Sequence, residues 1–137
     1  MFKKQNLLKF FLLFSVELAF AQDRSIELDT FLESNVCNGC NLSNTDLSDI
    51  NLSNAELENT NLANTNFSAS TLVNASLKNS TITSANFNNS NLRYASLQSA
   101  KLDDSDLKDA DLSYSNLSNS SIRNTSLKNT ILNEAKL

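Results

Sequence analysis

The chain has no proline, no histidine and no tryptophan, and Gly39 is its only glycine. Turns therefore cannot be set by a locked proline φ, and positive-φ positions should fall to Asn and Asp. The lack of histidine removes the usual Ser–His and Cys–His routes to an activated nucleophile. No Gly-rich phosphate loop and no P-loop lysine are present. No run of about 18 apolar residues exists, which excludes an ordinary transmembrane helix. Carboxylate pairs occur, but in a regular polar pattern with no indicated pocket. No catalytic site, cofactor or metal is expected, and the chain reads as a non-enzyme.

What the sequence does contain is a ruler. Every fifth residue from Leu42 to Leu137 is Leu, Ile or Phe, including Leu57, Phe67, Leu77, Ile82, Phe87, Leu112 and Leu132. Two residues before each of these centres sits a small side chain, such as Ala55, Thr60, Ser80, Ala95 or Ala110, with Cys40 and Ile50 as exceptions. The remaining places are mostly Asn, Ser, Asp, Thr or Lys. In an α-helix a five-residue step turns about 500°, so the leucines would wander around the cylinder and form no stripe. A straight strand fails as well, because an odd step sends alternate leucines to opposite faces. The chain must bend after every unit and return each centre to a shared interior. Asn, Asp and Ser supply those bends through side chain to backbone hydrogen bonds.

Units such as Ala55-Glu56-Leu57-Glu58-Asn59 and Ala110-Asp111-Leu112-Ser113-Tyr114 resemble the A-(D/N)-L-x-x unit of pentapeptide repeat proteins. The resemblance covers residues 36–137. It implies an all-β fold, a right-handed quadrilateral parallel β-helix with four units per coil, centres and small residues pointing inward. The spacing of particular residues also hints at a coil of twenty: Phe67 and Phe87 would stack inside, and Tyr94 and Tyr114 outside. Glu58 and Lys78, and Asp103 and Arg123, would meet as opposite charges on neighbouring coils.

Residues 1–21 have the parts of an export signal: Lys3, Lys4 and Lys9, an apolar Phe10 to Val16, then Ala19-Phe20-Ala21. The alternatives are an uncleaved anchor or a basic leader. Cleavage would place the mature protein in the periplasm, a thylakoid lumen or the extracellular space, with no stable membrane insertion. It removes three Lys and one Glu, Glu17, a net loss of two positive charges that takes the formal charge from −4 to −6. Such an acidic chain should be repelled by nucleic acid. Residues 22–35 precede the repeat, and Leu28, Phe31 and Leu32 predict a short amphipathic cap helix from Ser25 to about Ser34. A solenoid end needs such a cover over its apolar interior and free strand edge.

Cys37-Asn38-Gly39-Cys40 comes next, with Cys37 at a centre and Cys40 at a small inward place. The two thiols read as core residues or as a candidate disulfide closing the first coil, the latter favoured by export. A redox role lacks the helix context that lowers a thiol pKa, and a single CxxC supplies half a metal site. Phe31 to Leu42 also looks like the C-P-G-C-D-L head that opens many exported pentapeptide repeat proteins, with Asn38 replacing the proline.

Asp103, Asp104, Asp106, Asp109 and Asp111 crowd less than half a coil. They form either a solvated corner or a candidate interaction patch, for a basic partner or a weakly held divalent cation. The pattern runs in register to Leu137, so the last coil is expected to offer its open edge to a second copy as a homodimer. Function reads first as an exported scaffold or protein-interaction protein with an unknown protein partner. The resemblance implies one alternative, an acidic DNA-mimic rod binding a type II topoisomerase. The other is thiol redox or metal handling through Cys37 and Cys40.

Overall fold

The computed structural model describes residues 27–137; the expected export signal, 1–21, lies outside the described residues. Residues 27–34 form helix α1, after which the chain winds as a parallel solenoid. Seventeen bridges run from Val36↔Glu56 to Asn116↔Lys136, every one parallel and every one joining residue i to i+20. Four five-residue units therefore make one coil. Among the described residues the pairing takes the form of isolated bridges, one per unit, because a turn follows each bridge before a strand can extend.

Each unit is built the same way. The centre N–H donates to the coil above, as in Leu62 to the Thr81 carbonyl at 2.7 Å, while Asn61 N–H donates to the Cys40 carbonyl below at 2.9 Å. A side-chain oxygen one residue before the centre accepts from the N–H one residue after it: Asp46 from Ser48, Asn51 from Ser53, Asn91 from Arg93. Such local bonds shape the turn from within the unit. The residue two after the centre is left-handed throughout. Asn and Asp hold most of these places, but Ala69, Ser84, Tyr94, Ser99, Tyr114 and Glu134 also have φ between 56° and 63°. This corrects the expectation that Asn and Asp alone would carry positive φ. The left-handed residue's own N–H bonds the next coil, as Tyr94 does to Ser113 at 3.0 Å, and the repeated ladder imposes the conformation on whatever side chain is present. The steric cost at a non-glycine residue is about 1–2 kcal/mol.

The centres fill the lumen in four columns, and those from Leu42 to Leu112 are buried. Phe67 and Phe87 stack within one column, centroids 4.8 Å apart and planes 10° from parallel. The small inward residues interlock the coils. Thr60, Ser80 and Ser105 hydroxyls donate to the carbonyls of Cys37, Leu57 and Ile82 at 2.6–2.7 Å. Ser70 and Ser90 instead donate within their own coil, to the Phe67 and Phe87 carbonyls, and Ser115 does neither. It stands in a column with Ala55, Ala75, Ala95 and Ala135, is 1% exposed, and its hydroxyl has no partner. A buried unpaired hydroxyl is destabilising, so Ser115→Ala should raise stability by about 1 kcal/mol in urea titration. A loss of stability would mean that the hydroxyl has a partner in solution.

Helix α1 covers the first coil with Phe31, fully buried, and Leu28, partly buried. Leu32 is 48% exposed, contrary to the expected three-residue stripe. At about 100° per residue, Leu32 lies a quarter turn or more from Phe31, too far round to reach the same coil. The Glu27 carboxylate accepts the Asn41 N–H at 3.0 Å, supplying the acceptor that a preceding coil would give. Asn35 ends the helix in the left-handed conformation, its N–H bonded to the Phe31 carbonyl at 2.7 Å.

Candidate functional site

From Leu42 to Leu117 the centre side chains are consumed by packing, so along these coils the chemistry available to other molecules lies on the outer columns. Tyr94 and Tyr114 sit at corresponding corners of successive coils, because a coil of twenty residues superposes them. Their rings stack 5.0 Å apart at 8°, and they remain 51% and 47% exposed. Arg93 lies beside both, its guanidinium carbon 5.6 Å and 5.5 Å from the two ring centroids. The same guanidinium pairs with the Asp111 carboxylate at 3.2 Å, which fixes it over the rings. The tyrosine pair was visible in the twenty-residue spacing. Arg93 was missed, since its partner Asp111 lies eighteen residues on rather than twenty.

The five aspartates expected to form one patch are distributed over three sides of the coil and engaged separately. Asp103 accepts from the Ser121 hydroxyl at 2.5 Å and the Arg123 backbone N–H at 2.9 Å. Its contact with Arg123 is thus to the backbone, in place of the expected ion pair, because the carboxylate already bridges to the coil above. Asp104 takes the Asn124 amide, Asp106 the Lys108 N–H, and Asp109 the Asn129 amide. Asp111 takes Ser113 and Arg93. Among the described residues, no three His, Cys, Asp or Glu side chains converge as a metal site would require. The Glu58–Lys78 pair does form, at 3.4 Å.

These bonds favour the ionised carboxylates. The Ser48 hydroxyl holds Asp46 below the usual range, the Ser76 hydroxyl does so for Glu58, and the Ser121 hydroxyl for Asp103. The Asn129 amide lowers Asp109. For Asp111 burial pushes upward, but bonds from Ser113 and Arg93 outweigh it and the net shift is down. A folded pKa below the unfolded one gives stability that is complete above the unfolded value, about 4, and is lost as pH falls through the folded values. Melting temperature should accordingly be flat from neutrality to about pH 5 and drop below about pH 4. Thermal melts across that range test this, and a melting temperature rising on acidification would contradict it.

The structure joins Cys37 and Cys40 as a disulfide, with the α-carbons 5.4 Å apart. Cys37 is buried beneath the second coil, where Thr60 holds its carbonyl. No helix among the described residues is long and apolar enough to cross a membrane.

Two family models match the chain: one described as a pentapeptide repeat region over residues 32–98, the other as pentapeptide repeats (8 copies) over residues 100–137. Among solved structures, the chain is similar to a pentapeptide repeat protein (Rfr23) from the cyanobacterium Cyanothece 51142. That similarity is 24% identity over 82% of this chain and 93% of the other, with a TM-score of 0.45. A pentapeptide repeat protein from the Arabidopsis thaliana thylakoid lumen is 26% identical over 68% of this chain and 61% of its own, TM-score 0.34. QnrB1, a plasmid-mediated fluoroquinolone resistance protein, is 18% identical over 74% and 66%, TM-score 0.37. No curated protein matches the chain.

Proposed function

The chain belongs to the pentapeptide repeat family, and from that premise we propose that it is an exported, non-catalytic scaffold that binds a protein partner on the outside of a right-handed four-sided coil. The observation that carries this reading is the Arg93–Tyr94–Tyr114 surface. Exposed aromatic and Arg side chains held rigid are the residue types that anchor protein interfaces. Here the stack and the Asp111 ion pair hold all three before any partner arrives, which reduces the ordering cost of binding. The export reading is supported by the composition of residues 1–21 and by a disulfide suited to an oxidising compartment. A second copy could also cover Ile122, Leu127 and Leu137, the exposed centres of the last coil.

The test combines fractionation with capture. The product in the exported fraction should begin at Gln22, and the triple variant Arg93→Ser, Tyr94→Asn, Tyr114→Asn should fold normally but lose its cross-linked partner. Asn and Ser are chosen because they occupy these places in neighbouring coils. A full-length chain confined to the cytoplasm would overturn export. Undiminished capture by the triple variant would overturn the proposed anchor, and inhibition of a type II topoisomerase would favour the DNA-mimic reading.

A further inference from the structure

The ring closed by Cys37 and Cys40 encloses Asn38-Gly39, the chain's only Asn–Gly pair. Asn followed by Gly is the dipeptide in which the backbone nitrogen reaches the side-chain amide most easily, since glycine has no Cβ in the way. Both residues are exposed, so water has access. The folded chain nevertheless holds the reacting atoms apart through three hydrogen bonds to one coil above. Gly39 N–H donates to the Glu58 carbonyl at 2.8 Å. The Asn38 side-chain oxygen accepts from Glu58 N–H at 2.8 Å, and its NH2 donates to the Glu56 carboxylate at 3.2 Å. For the nitrogen to attack, the first of these must break and the amide must turn away from the other two. The disulfide ties the residues on both sides of the pair and opposes that movement.

We propose that Asn38 is a site of hydrolytic deamidation that the closed Cys37–Cys40 disulfide keeps shut and that reduction opens. A dithiol reduces the disulfide to two thiols and is itself oxidised to a disulfide. The Gly39 nitrogen then loses its proton to solvent base and attacks the Asn38 side-chain carbon, and ammonia leaves. The resulting succinimide takes up one water and opens to an aspartyl or an isoaspartyl residue in place of the asparagine. Either product weakens the first coil. The new carboxylate would face the Glu56 carboxylate, in a stretch from residue 25 to residue 77 that contains no Lys or Arg. The isoaspartyl form also lengthens the backbone and displaces Gly39 N–H from Glu58. Reduction of the head would thereby become an irreversible loosening of the coil beneath helix α1.

The experiment incubates the folded chain at mildly alkaline pH, oxidised or with a dithiol, and follows amide-to-acid conversion by peptide mass spectrometry. The oxidised chain should convert at Asn38 at least about tenfold more slowly, the factor given by an opening cost of ~1.4 kcal/mol. Gly39→Ala should suppress conversion in the reduced chain. A Cβ there meets nothing within 4 Å, and the left-handed backbone costs an alanine about 1–2 kcal/mol, a strain the coil already carries at Ala69. Circular dichroism of the reduced chain checks that the rest stays wound. Equal rates in the two redox states overturn the proposal. So does a reduced chain in which the other Asn residues convert in step with Asn38, which would mean global unfolding rather than a local lock.

Discussion

Leu77→Asp should leave the protein without a cooperative unfolding transition at 25 °C. Leu77 is fully buried in a lumen column between Leu57 and Leu97, in the middle of the coil stack. Removing its methyl groups costs about 2–5 kcal/mol, as for other buried leucines. A carboxylate placed there enters a lumen whose buried centres are Leu, Ile and Phe and which holds no buried cation among the described residues, and an unpaired buried ion costs several kcal/mol more. Together these rival a typical domain's entire stability of about 5–15 kcal/mol. In a solenoid each coil is held only by its neighbours, so a failed middle coil uncouples the two ends. The adjacent residue is the control. Lys78 points outward, and Lys78→Asp exchanges its exposed pair with Glu58 for two exposed like charges that water screens, a small change beside a buried ion. Chemical denaturation of both variants settles the matter; if Leu77→Asp loses no more than Lys78→Asp, the lumen is not the source of stability.

Phe67→Ala and Phe87→Ala should each destabilise by about 3–5 kcal/mol, and the double variant by less than their sum. The two rings are fully buried and share one face at 4.8 Å. Either truncation therefore removes the stacking, about 0.5–1.5 kcal/mol beyond area burial, and opens a cavity that the second truncation merely enlarges. A double-mutant cycle measured by urea unfolding should show that coupling. Additivity within about 0.3 kcal/mol would mean that the rings do not touch in solution. Leucine is the natural replacement to compare, since Leu47 and Leu107 occupy the same column. Phe67→Leu, Phe87→Leu should recover part of the loss by matching the width of both coils.

The same column shows why so much of the fold was legible. A side chain's inward placement follows from its position in the five-residue unit, and stacking partners follow from the twenty-residue coil. Phe67 with Phe87, Tyr94 with Tyr114 and Glu58 with Lys78 could all be paired by counting. Counting fails where a long side chain leans off its own rank. Arg93 reaches Asp111 rather than a residue twenty away, and Asp103 meets the Arg123 backbone instead of its guanidinium. Five aspartates close in sequence looked like one patch, yet turns between the units carry them to different sides and to different partners.

Periodicity alone determined that this chain bends every five residues, returns its apolar and small side chains to a common interior and leaves Asn and Asp outside. That much follows from the geometry of covalent spacing and from the removal of apolar surface from water. The tertiary winding decided which polar atoms find partners: the hydroxyls that lock coil to coil, the unpaired Ser115, the guanidinium clamped over two tyrosines, and the Asn38 amide held to the coil above. Hydrogen bonds depend on a few tenths of an ångström and on direction, and a repeat pattern specifies neither until neighbouring coils are stacked.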